Sequence, residues 1–231
     1  MLDVTDLTLK YGQSQILNGI NLTAKKGEIT AVMGTNGVGK TSLLKAIAGR
    51  HPIASGSIAL NGSLIEKHSA VNAARAGIAY VPQGREVFPM MTVTENLETG
   101  FACLDGRAHN VPDHIYELFP VLHEMSARRG GDLSGGQQQQ LAIARALITK
   151  PSVLLLDEPT EGIQPNIIQH IGDVIAKLRD QGEIAIVLVE QFFDFAFELG
   201  DQFVTMNRGS VTLDAPSKDV EREKLLGLVS V

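Results

Sequence analysis

The stretch GEITAVMGTNGVGKTSLLKAIAG, residues 27–49, decides the fold. Its first third is apolar and β-prone up to Gly34. Its last third switches to helical spacing, with Leu43, Leu44, Ile47 and Ala48 along one face. Between them GTNGVGKT (Gly34–Thr41) fits G-x-x-x-x-G-K-[ST] in the strand-to-helix setting that the motif needs. Glycines let the backbone of Gly34, Thr35, Asn36, Gly37, Val38 and Gly39 curl, so that successive N–H groups point inward at phosphate oxygens. The helix that starts there adds the positive end of its dipole. Lys40 supplies a point charge to the outer phosphates and Thr41, with Ser42 beside it, a hydroxyl ligand for Mg²⁺. A glycine-rich turn with a chance lysine is the bland alternative, and the flanking strand and helix argue against it.

A second carboxylate element is expected at the end of a buried strand. VLLLDEP (Val153–Pro159) has four apolar residues and then Asp157, placed to hold Mg²⁺ directly or through water. Glu158 follows at once. Side chains alternate along a strand, so the two carboxylates face different ways. One can serve the metal while the other orients or deprotonates an attacking water.

DLSGGQQQQLAIARAL (Asp132–Leu147) contains four glutamines in a row. They read either as a polar low-complexity tract or as the exposed first turn of a helix. Ser134 is placed to cap that helix, and Gly135 and Gly136 leave N–H groups bare at its start. With Gln137 this makes a second anion site, one with no lysine and no metal ligand. Leu141, Ile143, Ala144 and Leu147 then pack inward, which favours the helix.

The rest of the chain fits around these pieces. Short strands bounded by glycine turns fill the first sixty residues. The section from about 84 to 149 has helical patterns, DHIYELFPVL among them, and few β-runs. From Ser152 the alternation returns, with a helix over NIIQHIGDVIAKLRDQG that ends at Gly182, a strand over EIAIVLVEQ, and a hairpin turning at Asn207–Gly209. Long apolar strands alternating with helices imply a parallel sheet covered on both faces. The expected fold is therefore α/β and single-domain over 1–231, with a helical section inserted in its core.

Composition excludes several classes. Net charge is −6, which disfavours nucleic acid as a partner, because phosphate backbones are held by Lys and Arg. Apolar residues make up 44% and charged residues 20%, a globular balance. The single cysteine, Cys103, rules out an intrachain disulfide and fits a reducing compartment. No signal-like pattern opens the chain, and apolar runs such as Ile184–Val189 fall short of the ~20 residues that cross a bilayer. The histidines at 51, 68, 109, 114, 123 and 170 have no metal-ligand spacing and are assigned no role.

One chain with two unlike phosphate sites resembles the ATP-binding cassette (ABC) proteins, and the resemblance covers the whole chain. GTNGVGKT resembles their Walker A motif, LSGGQ their signature, and VLLLDE their Walker B motif with its catalytic glutamate. Gln83 in YVPQG resembles the Q-loop glutamine that reaches the metal and the attacking water. Tyr11 in LKYG resembles the aromatic that stacks on adenine. The resemblance implies a P-loop NTPase core with a mostly parallel sheet, an antiparallel N-terminal β subdomain and an inserted helical subdomain. It also implies ATP and Mg²⁺ as cofactors, and head-to-tail pairing with a different ATPase subunit or with a second copy. Two membrane permease subunits would be partners, a periplasmic or external solute-binding protein would take part indirectly, and the site of work would be the cytoplasmic face of the membrane. Phe88, Met90 and Met91 are candidates for the groove that receives a permease helix.

GREVFPMMTVTENL and LVEQ resemble the subgroup for branched-chain amino acid and urea uptake. DEPTEGIQPNIIQHIGDVIAKL and VLVEQFFDFAFEL are most similar to the second ATPase subunit of urea transporters, with a branched-chain amino acid importer as the alternative. Two positions depart from the general cassette pattern. Gln191 stands where a switch histidine is usual and can donate a hydrogen bond, but it carries no charge near neutral pH. Gln164 stands where the D-loop usually has Asp. A cassette ATPase acting on nucleic acid or ribosomes fits worse, since there is no long heptad insertion and only one cassette. A switch GTPase would show N-K-x-D, which does not occur.

Overall fold

The computed structural model describes residues 1–104 and 110–229, so His109 lies outside the described residues. The chain opens with β1 (Leu2–Tyr11), β2 (Ser14–Ala24), β3 (Ile29–Met33) and α1 (Lys40–Ile47). β4 (Ser55–Leu60), β5 (Ser63–Leu64), α2 (Ala70–Ala76) and β6 (Ile78–Val81) follow. Next come α3 (Val93–Glu98), α4 (Asp113–Leu118), α5 (Pro120–Glu124) and α6 (Gly135–Ile148). Alternation resumes with β7 (Val153–Asp157), α7 (Pro165–Asp180), β8 (Ala185–Val189), α8 (Phe193–Leu199), β9 (Gln202–Asn207), β10 (Ser210–Pro216) and α9 (Arg222–Val229).

Two sheets result. One is antiparallel in the order β2-β1-β4-β5; the other runs β10-β9-β3-β8-β7-β6, parallel except where β10 joins β9. β3, β7 and β8 are buried along their whole lengths, as central strands covered on both faces must be. That is why they read as unbroken apolar runs. β3 leaves its sequence neighbours and enters the second sheet, a division the strand spacing does not reveal. β6 pairs directly with β7, so the helices of 84–149 hang from one edge of the parallel sheet. One apolar cluster lies between that sheet, α6 and α7; a second fills the space between the two sheets around α1.

Two expectations are corrected. The helix over DHIYELFPVL is two helices, broken at Phe119, whose φ of −134° and ψ of 73° are not helical. Pro120 forces this, because its ring excludes the α conformation from the residue before it. Phe119 is fully buried at the break. The glutamine run is not an exposed turn throughout: Gln139 and Gln140 are 2% and 3% exposed, because α6 is packed on several sides. Only its start is polar and open. There Ser134 Oγ accepts from the Gln137 N–H at 3.3 Å, and Gln137 Oε1 accepts from the Ser134 N–H at 2.9 Å. This capping box holds the helix start by about 1 kcal/mol.

The hairpin between β9 and β10 ties the two sheets together and props the loop before α1. Asn18 donates its backbone N–H to Gly209 O (2.8 Å) and its amide to Arg208 O (3.0 Å), while the Gly209 N–H donates to Val38 O (3.0 Å). Gly209 has φ +77°, and a Cβ there would collide with the Ile16 carbonyl. Gly37 has nearly the same φ, +78°, with nothing within 4 Å. Gly37→Ala should therefore lose only the left-handed backbone term of about 1–2 kcal/mol. Gly209→Ala should lose distinctly more, measured as unfolding free energy in urea; equal losses would show that the clasp does not matter.

Candidate functional site

The carboxyl ends of parallel strands meet at one edge of the sheet, and side chains there converge whatever their distance in sequence. β3 delivers residues 34–41, β6 delivers Gln83, β7 delivers Asp157 and Glu158, and β8 delivers Glu190 and Gln191. A cleft of about 560 Å³ opens there. Asn36, Gly37, Gly39, Lys40, Thr41 and Ser42 line one side, and Gln83, Glu158 and Gln191 the other, with Tyr11 at the rim. Ile16 and Glu161 also line it, which the sequence did not announce.

The cradle is formed by close backbone approach. A Cβ on Gly34 would collide with the Met206 carbonyl, and Gly39 has φ +109°. Lys40 folds back over the loop, its Nζ donating to Gly34 O at 2.8 Å and Thr35 O at 3.0 Å. Burial lowers its pKa, and the carboxylates of Glu158, Asp157 and Glu190 pull the other way. Val38 is buried and acts as a strut under the loop through its bond from Gly209. Thr35, Asn36, Gly37 and Val38 also border a second hollow of about 450 Å³ with Asn207 and Arg208.

The two neighbouring carboxylates do occupy different places. Asp157 is fully buried. Its Oδ1 accepts from Thr41 Oγ1 at 3.0 Å and its Oδ2 from the Tyr80 hydroxyl at 2.9 Å. Burial raises its pKa, opposed by these two hydrogen bonds. Glu158 has φ +47°, a left-handed conformation that costs about 1–3 kcal/mol for a residue with a side chain. Its Oε1 accepts from Gln191 Nε2 at 2.6 Å and its Oε2 from Gln83 Nε2 at 3.1 Å. Gln83 Nε2 also donates to Glu161 Oε2 at 2.9 Å. The three residues read from the sequence as catalytic are thus in direct contact.

Two supporting residues escaped the sequence reading. Glu190 is buried, and its carboxylate accepts four hydrogen bonds: Thr160 N and Oγ1, Gln191 N and Phe192 N. Burial raises its pKa and those bonds lower it. It fastens the loop after β7 to the loop after β8. Its only signal was a carboxylate ending an apolar strand. Tyr80 gave none, since a tyrosine inside a strand is ordinary. Burial beside Asp157 pushes the Tyr80 hydroxyl far above its usual pKa, so it stays a donor.

Tyr11 is 42% exposed, shares a 3.3 Å hydrogen bond with Ser42 and meets the His51 ring edge-on at 4.5 Å. His51, which the sequence left without a role, therefore sits beside the cleft's aromatic. The oxygen donors at Thr41, Asp157 and the Gln83 amide are the ligand class of Mg²⁺, which takes few protein ligands and fills its shell with water and phosphate. Among the described residues no cluster of three or more His, Cys, Asp or Glu is arranged to hold a metal ion.

Ser134, Gly135, Gly136 and Gln137 do not line this cleft. Gly136 packs on Ile167, and Gly135 lies against the Arg85 guanidinium, 2.9 Å from Nη1 to where a Cβ would stand. Gln164 is the N-cap of α7 and makes no side-chain capping bond. A further groove, about 550 Å³, has Phe88, Val87, Thr99, Cys103, Ala142 and Arg145 in its wall. Of the three apolar residues expected there only Phe88 takes part; Met90 is 71% exposed, and neither it nor Met91 lines the groove. Cys103 is exposed. Among the described residues no helix is long and apolar enough to cross a membrane.

Comparison with known proteins gives the family. The pattern of the ABC transporter family matches residues 17–161. The chain is 41% identical over 214 residues to the high-affinity branched-chain amino acid transport ATP-binding protein BraG of Pseudomonas aeruginosa, covering 92% of this chain and 91% of that one. It is 39% identical over 176 residues to the probable branched-chain amino acid transport ATP-binding protein LivF of Archaeoglobus fulgidus, 74% of each chain. Among solved structures, a nucleotide-free ATP-binding cassette superposes with a TM-score of 0.83 at 23% identity, over 100% of this chain and 95% of that one. On the match over residues 17–161 and the identity to these relatives, the chain belongs to the ABC transporter family and is an ATPase.

Proposed function

We propose that the chain is the energy-coupling subunit of an importer and hydrolyses ATP at its own cleft. The observation that carries this is the clamp on Glu158. A carboxylate held by Gln83 and Gln191 in the cleft lined by Lys40 and Thr41 is placed to orient a water and take its proton as the water's oxygen bonds to the terminal phosphorus and ADP leaves. Gln191 supplies a neutral donor where a histidine would titrate. The backbone N–H groups of 34–41 and Lys40 bind the phosphates, Tyr11 stacks on adenine, and Ser42 extends the hydroxyl set. Thr41 and Asp157, with the amide oxygen of Gln83, would hold Mg²⁺, which would supply charge neutralisation at the phosphates. Ser134, Gly135, Gly136 and Gln137 are left to complete the pocket of a sister ATPase, either a different subunit or a second copy.

The single domain 1–231 then works peripherally at the cytoplasmic face of a membrane. Its groove around Phe88 takes a segment of one of two permease subunits, which meet a solute-binding protein outside. The cargo we infer is urea, on the resemblance of TEGIQP after the Walker B strand and of VLVEQFFDFAFEL. A branched-chain amino acid cargo is the second reading, favoured by the 41% identity to BraG. Uptake of labelled urea and of labelled leucine into vesicles carrying the whole transporter separates the two. Leucine uptake without urea uptake would overturn the first.

Lys40→Ala should abolish nucleotide binding, and Glu158→Gln should keep binding while turnover in the assembled transporter falls by about 10²–10⁴-fold. Unchanged turnover in Glu158→Gln would contradict the assignment. Asp157→Asn separates function from stability. A buried carboxyl with a raised pKa contributes stability below its usual pKa, and this is lost as pH rises through the raised value. In nucleotide-free protein at pH 8 the Asn variant should therefore melt at or above the parent temperature, by about 2–4 °C for each kcal/mol recovered. The gain should vanish below about pH 4, the ordinary aspartate range, and turnover should be lost. A variant that melts lower at pH 8 than the parent would show that the carboxylate stabilises the empty site.

A further inference from the structure

We propose that Tyr80 sets the cation preference of the cleft: its hydroxyl keeps one oxygen of Asp157 from a metal ion, which favours Mg²⁺ over Ca²⁺; this rests on the reading above that Thr41 and Asp157 hold the metal. The Asp157 carboxylate is shared between two donors of different kinds. Oδ1 takes the Thr41 hydroxyl at 3.0 Å, and Oδ2 takes the Tyr80 hydroxyl at 2.9 Å. Thr41 belongs to the phosphate loop and would turn its own oxygen to a cation, which leaves Oδ1 free on that side. Tyr80 does not line the cleft, so its hold on Oδ2 persists.

Topology and packing fix that hydroxyl. In the parallel ladder Tyr80 stands opposite Leu155, and Asp157 lies two residues further along the same face of β7. The Arg50 guanidinium sits over the Tyr80 ring, 5.5 Å from its centroid, and is itself paired with Glu86 at 2.8 Å. Burial and the neighbouring Asp157 charge keep the phenol protonated far beyond its usual range. A phenol that does not ionise is a permanent donor to Oδ2.

The two cations differ in what they ask of a carboxylate. Ca²⁺ takes about six to eight oxygens at roughly 2.3–2.6 Å and readily accepts both oxygens of one carboxylate. Mg²⁺ takes about six at roughly 2.0–2.1 Å, keeps several waters and makes do with one or two carboxylates. The end of β7 suits the second. Glu158 has both oxygens taken, by Gln191 at 2.6 Å and by Gln83 at 3.1 Å. With Tyr80 on Oδ2, Asp157 Oδ1 is the carboxylate oxygen left for a cation. Asp157 is fully buried, so a larger ion gains its second oxygen only by breaking the phenol's bond inside the protein. Tyr80 touches no reacting atom; it is a positioning residue.

The test is ATP affinity of the full-length subunit, measured by calorimetry with saturating Mg²⁺ and with saturating Ca²⁺. Wild type is expected to bind ATP more tightly with Mg²⁺. Tyr80→Phe keeps the ring under Arg50 and removes the hydroxyl. Binding with Mg²⁺ should weaken by about tenfold while binding with Ca²⁺ holds or strengthens, so the preference falls at least as far. General loosening of the fold weakens both complexes alike and leaves their ratio unmoved. If Tyr80→Phe does not fold, Arg50→Met carries the test: it frees the ring, leaves the hydroxyl in place and should lower the preference by about two- to fivefold. A wild type without preference, a variant that keeps the wild-type preference, or equal losses with both cations overturns the role of Tyr80. Absence of Mg-ATP binding by the wild-type subunit would instead overturn the ATPase assignment of this cleft.

Discussion

Carboxylates taken out of water need donors, and the end of β7 removes two of them side by side. Asp157 and Glu158 leave the same strand, yet their hydrogen bonds come from α1, β6, the loop after β6 and the loop after β8. The strand order β3-β8-β7-β6 is what makes this arrangement available, because it sets those loops around the end of β7. Desolvation is the leading influence on Asp157, Glu190 and Lys40 alike. A buried charge left unpaired costs several kcal/mol, so each of these groups fixes the segments that supply its partners.

The polar groups of the cleft are engaged with one another. Lys40 is bonded to its own loop, Thr41 to Asp157, and Gln83 to two carboxylates. Binding of a triphosphate exchanges these contacts for stronger ones to phosphate, so the cleft's polar groups are satisfied before and after. The left-handed Glu158 is the strained point in this set, and its N–H bond to the Val189 carbonyl (2.8 Å) ties it to β8.

Much of this was readable in the chain itself, wherever chemistry depends on local spacing. The strand-loop-helix of 27–49, the buried run ending in Asp157, and the capped helix at Ser134 all follow from neighbours in sequence. The glutamine run was half legible: Ser134 and Gln137 form a local box, while burial of Gln139 and Gln140 comes from helices packed around α6. Partners brought together by topology were out of reach. Nothing near Tyr80 announces Asp157, nothing near Glu190 announces Thr160, and Arg85 meets Gly135 only because the helical section folds back on the loop after β6. Cargo is the least legible of all, since the residues that suggest it lie after β7 and from β8 into α8, in the ATPase subunit and not in a solute site.

The central claim is that Gln191 acts through Glu158 and not on its own account. A double-mutant cycle on single-turnover ATP hydrolysis in the assembled transporter addresses it directly, using Gln191→Ala, Glu158→Gln and the pair. The account predicts that the double variant turns over within about threefold of Glu158→Gln alone, because the amide has nothing left to position. Losses that multiply would contradict it, for they would mean that the two side chains serve separate steps.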